Sequence, residues 1–169
     1  TEKINPINAA MIITFREVLS AMKRFGFKEN SSVVIFGAGP VGQCFIQFSK
    51  LLGLKDVFSI DINDEKVAIG KKRGADFAFN SRKTNIKEKI KSLYPEGVDF
   101  VIDAVGVIDI INEGMELIKD HGKICVYGIA PNTKGEINWS KAPYNWSLDF
   151  LQMPRKKEEA GVHNQIIAW

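Results

Sequence analysis

Three glycines and one aspartate carry the types and spacing that point to chemistry. Gly37, Gly39 and Gly42 form a G-x-G-x-x-G turn, and Asp61 follows the last of them by 19 positions. In such a turn the first glycine suits a tight bend. The second leaves room for a pyrophosphate close to the backbone, and the third lets a helix lie close to a sheet. Free N–H groups at the helix start then face the anion. Pro40 suits an early helical position, which needs no N–H bond of its own. A carboxylate at the spacing of Asp61 matches the acid that binds an adenosine ribose. The other reactive residues are less suggestive. Cys44 falls in an apolar helix and Cys125 in an apolar strand, so both read as buried thiols. His121 reads as a turn residue and His163 as a structural residue of the last helix, so no metal site is expected.

These residues need particular elements to position them. Val33 to Phe36 reads as a strand buried on both faces, and an apolar helix runs from Val41 to Leu52. Val57 to Asp61 reads as a second strand ending in the carboxylate. Strand, glycine turn and helix in that order are the context a dinucleotide fingerprint requires. Before them, Pro6 to Phe25 has a helical pattern, with a break expected near Thr14 because Ile12, Ile13 and Thr14 are β-branched. After them, a helix over 64–72 is capped by Asn63 or Asp64, with Val67 and Ala68 inward. A strand follows at Phe77 to Asn80, a helix over 83–93, and a central strand at Val98 to Asp103. Ala104, Val105 and Gly106 form a small-residue bend. A helix over 108–119 then leads to a strand from Lys123 to Gly128. In the tail, Ile137 to Trp139 reads as a short strand, Ser147 to Met153 as the sixth strand, and Arg155 to Trp169 as a final helix.

This alternation predicts an α/β fold: a doubly wound, six-stranded parallel sheet with helices on both faces. A crevice is expected outside the strand carboxyl ends, where Gly37, Asp61, Ala104 to Gly106 and Gly128 to Ala130 all fall.

Composition narrows the partners. The chain has 23 basic and 20 acidic residues among 169, too balanced for a nucleic-acid partner; the lysines at 83, 87, 89 and 91 read as a solvated face. No apolar run has transmembrane length and no signal-peptide pattern is present, which makes a cytoplasmic location the expectation. The length suits a single domain, here 1–169 with a short helical lead-in, and both ends read as abrupt, as in a domain taken from a longer protein.

The run from Thr14 through Gly37 to Gly42, Asp61, Gly74-Ala75-Asp76, Val98 to Gly106 and Gly122 to Gly128 resembles the cofactor domain of the medium-chain, zinc-type alcohol, polyol and threonine dehydrogenases. The resemblance implies a Rossmann fold and a separate catalytic domain, outside this sequence, that holds zinc. It therefore implies no catalytic residue and no metal ligand in this chain, which alone is expected to be inactive. It also implies cofactor contacts from Gly37, Gly39, Pro40, Val41 and Gly42 at the pyrophosphate, and from Asp61, Ile62 and Lys66 around the ribose. Ala104, Val105 and Gly106 would lie beneath the ligand, and Gly128, Ile129 and Ala130 at the nicotinamide end. Thr14 is a further candidate on the nicotinamide face. NAD is favoured over NADP, because Asp61 would repel a 2′-phosphate while Ile62 and Asn63 offer no cation. The family implies an alcohol or polyol substrate for the full protein, and a homodimer or homotetramer joined through the late strands.

Two other classes fit parts of the pattern. A methyltransferase using S-adenosylmethionine also places a ribose-binding carboxylate after a second strand, but the third glycine, Gly42, speaks against it. A non-enzymatic nucleotide-sensing module would need the same groove.

Overall fold

The computed structural model describes residues 5–129 and 134–169. The apolar run expected as a strand buried on both faces is β1 (Ser32–Phe36), buried at every position. It lies between β2 (Asp56–Asp61) and β4 (Val98–Asp103), each paired with it in parallel. Beyond β2 lies β3 (Phe77–Asn80); beyond β4 lie β5 (Ile118–Val126) and β6 (Trp146–Phe150). All pairings are parallel, in the order β3-β2-β1-β4-β5-β6. The direction of strand succession reverses between β1 and β4, which opens a crevice at their carboxyl ends.

Because successive strand residues point to opposite faces, β1 feeds two cores. Val33 and Ile35 face a cluster with α2 (Ile12–Phe25), α3 (Pro40–Leu51) and α7 (Lys156–Ala168). Val34 and Phe36 face a second cluster with α5 (Ile86–Leu93) and α6 (Ile108–Leu117). The first-face helices close on one another. Phe48 of α3 meets Phe15 of α2 edge-on at 5.8 Å and Trp169, just past α7, at 5.7 Å between ring centroids. At the amino ends of the strands, Asp99 accepts from Ser32 N and Ser32 Oγ, each at 2.8 Å, and pairs with Lys119 at 2.6 Å.

Several boundaries differ from the sequence expectation. The first helical region breaks at Met11, giving α1 (Pro6–Ala10) and α2, three residues before Thr14. The helix α4 (Asp64–Lys72) is capped by Asn63, whose side chain accepts from Glu65 N and Lys66 N. Of its two expected inward residues, Val67 is half-buried and Ala68 is exposed. The contact is made instead at Gly70, where an added Cβ would lie 2.4 Å from Ser59 Oγ. The helix expected over 83–93 starts at Ile86, because Asn85 caps it. α6 ends at Leu117 and β5 begins at once at Ile118, so residues 118–122, read as the end of a helix and a turn, belong to a strand. His121 sits there with φ 58°, next to a register shift against β4. Ile137 to Trp139 makes no strand; a single 3-10 turn covers Trp139–Lys141.

Candidate functional site

The glycine turn joins β1 to α3, and its three glycines meet different surroundings. Gly37 has φ 93°, a left-handed conformation that favours glycine, and an added Cβ would lie 2.8 Å from Val105 Cγ2. A Cβ at Gly42 would lie 1.8 Å from the Gly37 carbonyl oxygen, so α3 approaches the turn as closely as a bare backbone permits. At Gly39 an added Cβ would meet nothing within 4 Å. Gly39 is also the N-cap of α3, with Pro40 in the first turn and no side chain capping the helix. Open space and uncapped N–H groups thus coincide at Gly39.

Asp61 ends β2 and is 9% exposed. Its Oδ2 accepts from Ala38 N at 2.8 Å and its Oδ1 from Asn63 N at 3.0 Å. The carboxylate therefore ties the glycine turn to the start of α4. Each oxygen keeps acceptor capacity, since a carboxylate offers about four lone-pair positions.

The opposite wall is built by a residue the sequence reading passed over. Asp103 ends β4, is fully buried, and accepts from Val105 N at 2.8 Å, Gly106 N at 2.7 Å and Val107 N at 3.1 Å. Burial pushes its carboxyl up from the ordinary value, against the opposing pull of those three N–H groups. Asp103 thereby shapes the Ala104 to Gly106 bend and starts α6. An aspartate before a run of small residues at a strand end is a turn signal. Gly128 closes against the same bend: an added Cβ would lie 2.2 Å from Gly106 N.

Between these walls lies a groove of about 340 Å³. Gly37, Asp61, Ile62, Lys66 and Val105 line it, all five named from the sequence. Phe36, Ile60, Ser81, Val107, Ile110 and Glu113 also line it and were not anticipated. Ile110 and Glu113 share one face of α6. Ala104 lies nearby, its Cβ 3.9 Å from the position a Gly42 Cβ would take. Pro40 is exposed and Val41 half-buried in the first turn of α3. Ile129 is 69% exposed beyond β5. Thr14 is half-buried in α2 and does not line this groove. Ala130 lies outside the described residues. A larger groove, about 770 Å³, runs along α6 among Asp109, Asn112, Glu113, Glu116 and Glu136, and shares Glu113 with the groove at the glycine turn.

Both cysteines are buried, and burial pushes Cys44 up to about 11 and Cys125 well above the ordinary thiol value, which suits packing and not metal ligation. His121 is exposed; His163 is half-buried in α7, with Nδ1 unpartnered. Among the described residues, no group of three or more His, Cys, Asp or Glu is placed to hold a metal ion. No described helix is long and apolar enough to cross a membrane.

A parallel sheet with a glycine turn at its switch point and an acid at the end of the next strand defines a Rossmann-type domain. Comparison with known proteins makes the assignment narrower. Residues 40–151 match the zinc-binding dehydrogenase family. The chain belongs to the zinc-type medium-chain alcohol, polyol and threonine dehydrogenases, as their cofactor-binding domain. It is 32% identical over 110 residues to an L-threonine 3-dehydrogenase of Rhizobium rhizogenes, covering 64% of this chain and 32% of that protein. It is 29% identical over 143 residues to an L-threonine 3-dehydrogenase of Coxiella burnetii, covering 84% of this chain and 41% of that one. The chain thus spans well under half the length of these relatives. Among solved structures, an alcohol dehydrogenase from Escherichia coli CFT073 complexed with NADH superposes with a TM-score of 0.86 at 24% identity, over 99% of this chain and 50% of that one. A protein from Sinorhizobium meliloti 1021, described as a zinc-binding dehydrogenase bound to NADP, does so with a TM-score of 0.87 at 21% identity, over 98% and 49%.

Proposed function

We propose that this chain holds NAD for a zinc-type dehydrogenase acting on an alcohol, a polyol or an amino alcohol such as threonine. The observation that carries the reading is the Asp61 carboxylate: it lines the groove beside Gly37, is anchored by two backbone N–H groups, and has acceptor capacity left for two ribose hydroxyls. The residues fit the cofactor at two further points. Gly39 leaves open space at an uncapped helix start, which suits a pyrophosphate. Ile62, Val107 and Ile110 offer the groove apolar walls for an adenine. Pro40, Val41 and Gly42 would hold the pyrophosphate with Gly39. Gly128, Ile129 and Ala130 would serve the nicotinamide end, and Thr14 remains a candidate there.

Bound NAD would supply a hydride acceptor for the alcohol carbon, and a zinc held outside this chain would supply a Lewis acid for the alcohol oxygen. The contribution of this chain is orientation. Asp61 fixes the ribose, the α3 start neutralises phosphate charge, and the bend shaped by Asp103 sets the floor. Asp61 also carries the preference for NAD over NADP, since a 2′-phosphate would meet a carboxylate. Lys66 in the same groove offsets part of that repulsion. The edge strand β6, with Phe150 65% exposed, is the surface proposed for pairing with a second copy.

Calorimetric titration tests the reading. NAD should bind, NADP more weakly, and S-adenosylmethionine not at all; binding of S-adenosylmethionine without NAD would overturn it. Asp61→Ala should weaken NAD by roughly ten- to a hundredfold, the loss of one or two hydrogen bonds to a charged group. Asp61→Asn, which keeps an acceptor for Ala38 N, separates ribose recognition from damage to the turn.

A further inference from the structure

The Glu113 side chain makes no hydrogen bond and no ion pair among the described residues. The two ammonium groups that reach its part of α6, Lys87 and Lys141, are both engaged by Glu116, Lys141 at 2.6 Å. Glu113 is half-buried at the border of two grooves, the larger one beside α6 and the one that holds Asp61, with Ile110 one turn before it. Asp61 enters that groove from β2 and Glu113 from α6. Ile62, Val107 and Ile110 line this groove together with Asp61 and Glu113, the two carboxylates in its lining.

Resting on the NAD reading above, we propose that Glu113 is a specificity residue that accepts a hydrogen bond from the exocyclic 6-amino group of the adenine. The chemistry matches on both sides. The amino group carries two N–H donors, and no described residue donates to the carboxylate. Burial, with Glu116 alongside, pushes the Glu113 carboxyl up from its ordinary value, while Lys141 opposes the shift. A charged form so disfavoured gains from an added donor. A purine with a 6-oxo group would place oxygen against the carboxylate and be rejected.

The test compares NAD with nicotinamide hypoxanthine dinucleotide, which differs in that 6-oxo group, by calorimetric titration of the wild-type chain, Glu113→Ala and Glu113→Gln. The wild type should prefer NAD by about tenfold or more, the discrimination expected when a polar group is left unpaired. In Glu113→Ala the two ligands should bind within about twofold of each other. Glu113→Gln, whose amide can accept from an amino group or donate to an oxo group, should also lose the preference. Thermal melting confirms that both variants are folded. Equal binding of the two ligands by the wild type, or an unchanged preference in Glu113→Ala, overturns the assignment of Glu113 and leaves the NAD reading intact. Failure of the wild type to bind either ligand overturns both.

Discussion

Gly39 and Gly42 stand three residues apart, yet replacing each by alanine should give different results. At Gly42 the new methyl would fall 1.8 Å from the Gly37 carbonyl oxygen, so α3 must shift away from the turn. A loss of about 1–3 kcal/mol is expected, as for other overpacked positions, together with weaker cofactor binding. At Gly39 the methyl meets nothing, so the melting temperature should stay close to wild type while NAD affinity falls. Melting and titration of the two variants check this; equal destabilisation by both would refute the division of roles. The glycines and Asp61 were legible in the sequence because turn, helix start and acid lie within 25 positions along one local β–α–β unit. Val107, Ile110 and Glu113 were not, because a helix face reads as solvent-exposed unless one knows that β2 lies across from it. That adjacency comes from strand order, which a local pattern does not contain.

At the level of elements, the β4–α6 junction depends on one buried carboxylate. Asp103→Ala would leave the N–H groups of Val105, Gly106 and Val107 without their acceptor, at a cost of about 1–3 kcal/mol. Chemical denaturation should show a lower midpoint with an unchanged slope. The six strands and most helices were readable because apolar runs and helical stripes alternate with clear turn residues. The exception at α6 and β5 has a physical cause. Ile118 fits the end of a helical stripe, and Lys119, Asp120 and His121 carry no strand character. Their strand conformation is imposed from outside: His121 N donates to Asn145 O at 2.6 Å, and Lys119 reaches Asp99. Asn145 lies in a tail segment with no regular pattern of its own, so this tertiary contact could not be foreseen from 118–122 alone.

For the whole molecule, acid stability should follow the amino ends of the strands. Burial favours a raised Asp99 carboxyl, but Lys119 and Ser32 outweigh it and hold the group below its ordinary value. Its contribution is therefore present above the unfolded value of about 4 and lost as pH falls through the folded value. Asp103 and Glu113, raised by burial, act in the opposite sense: their contribution is present at low pH and lost as pH rises through their folded values. Asp99→Asn should therefore melt below the wild type near neutrality, and the difference between the two should shrink as pH falls below about 4. Phe48 has a different consequence. Because Phe15 of α2 and Trp169, just past α7, both rest on this one ring, Phe48 couples the two helices through a single aromatic contact. Phe48→Ala should loosen both helices at once and cost about 3–5 kcal/mol, read as a lower melting temperature.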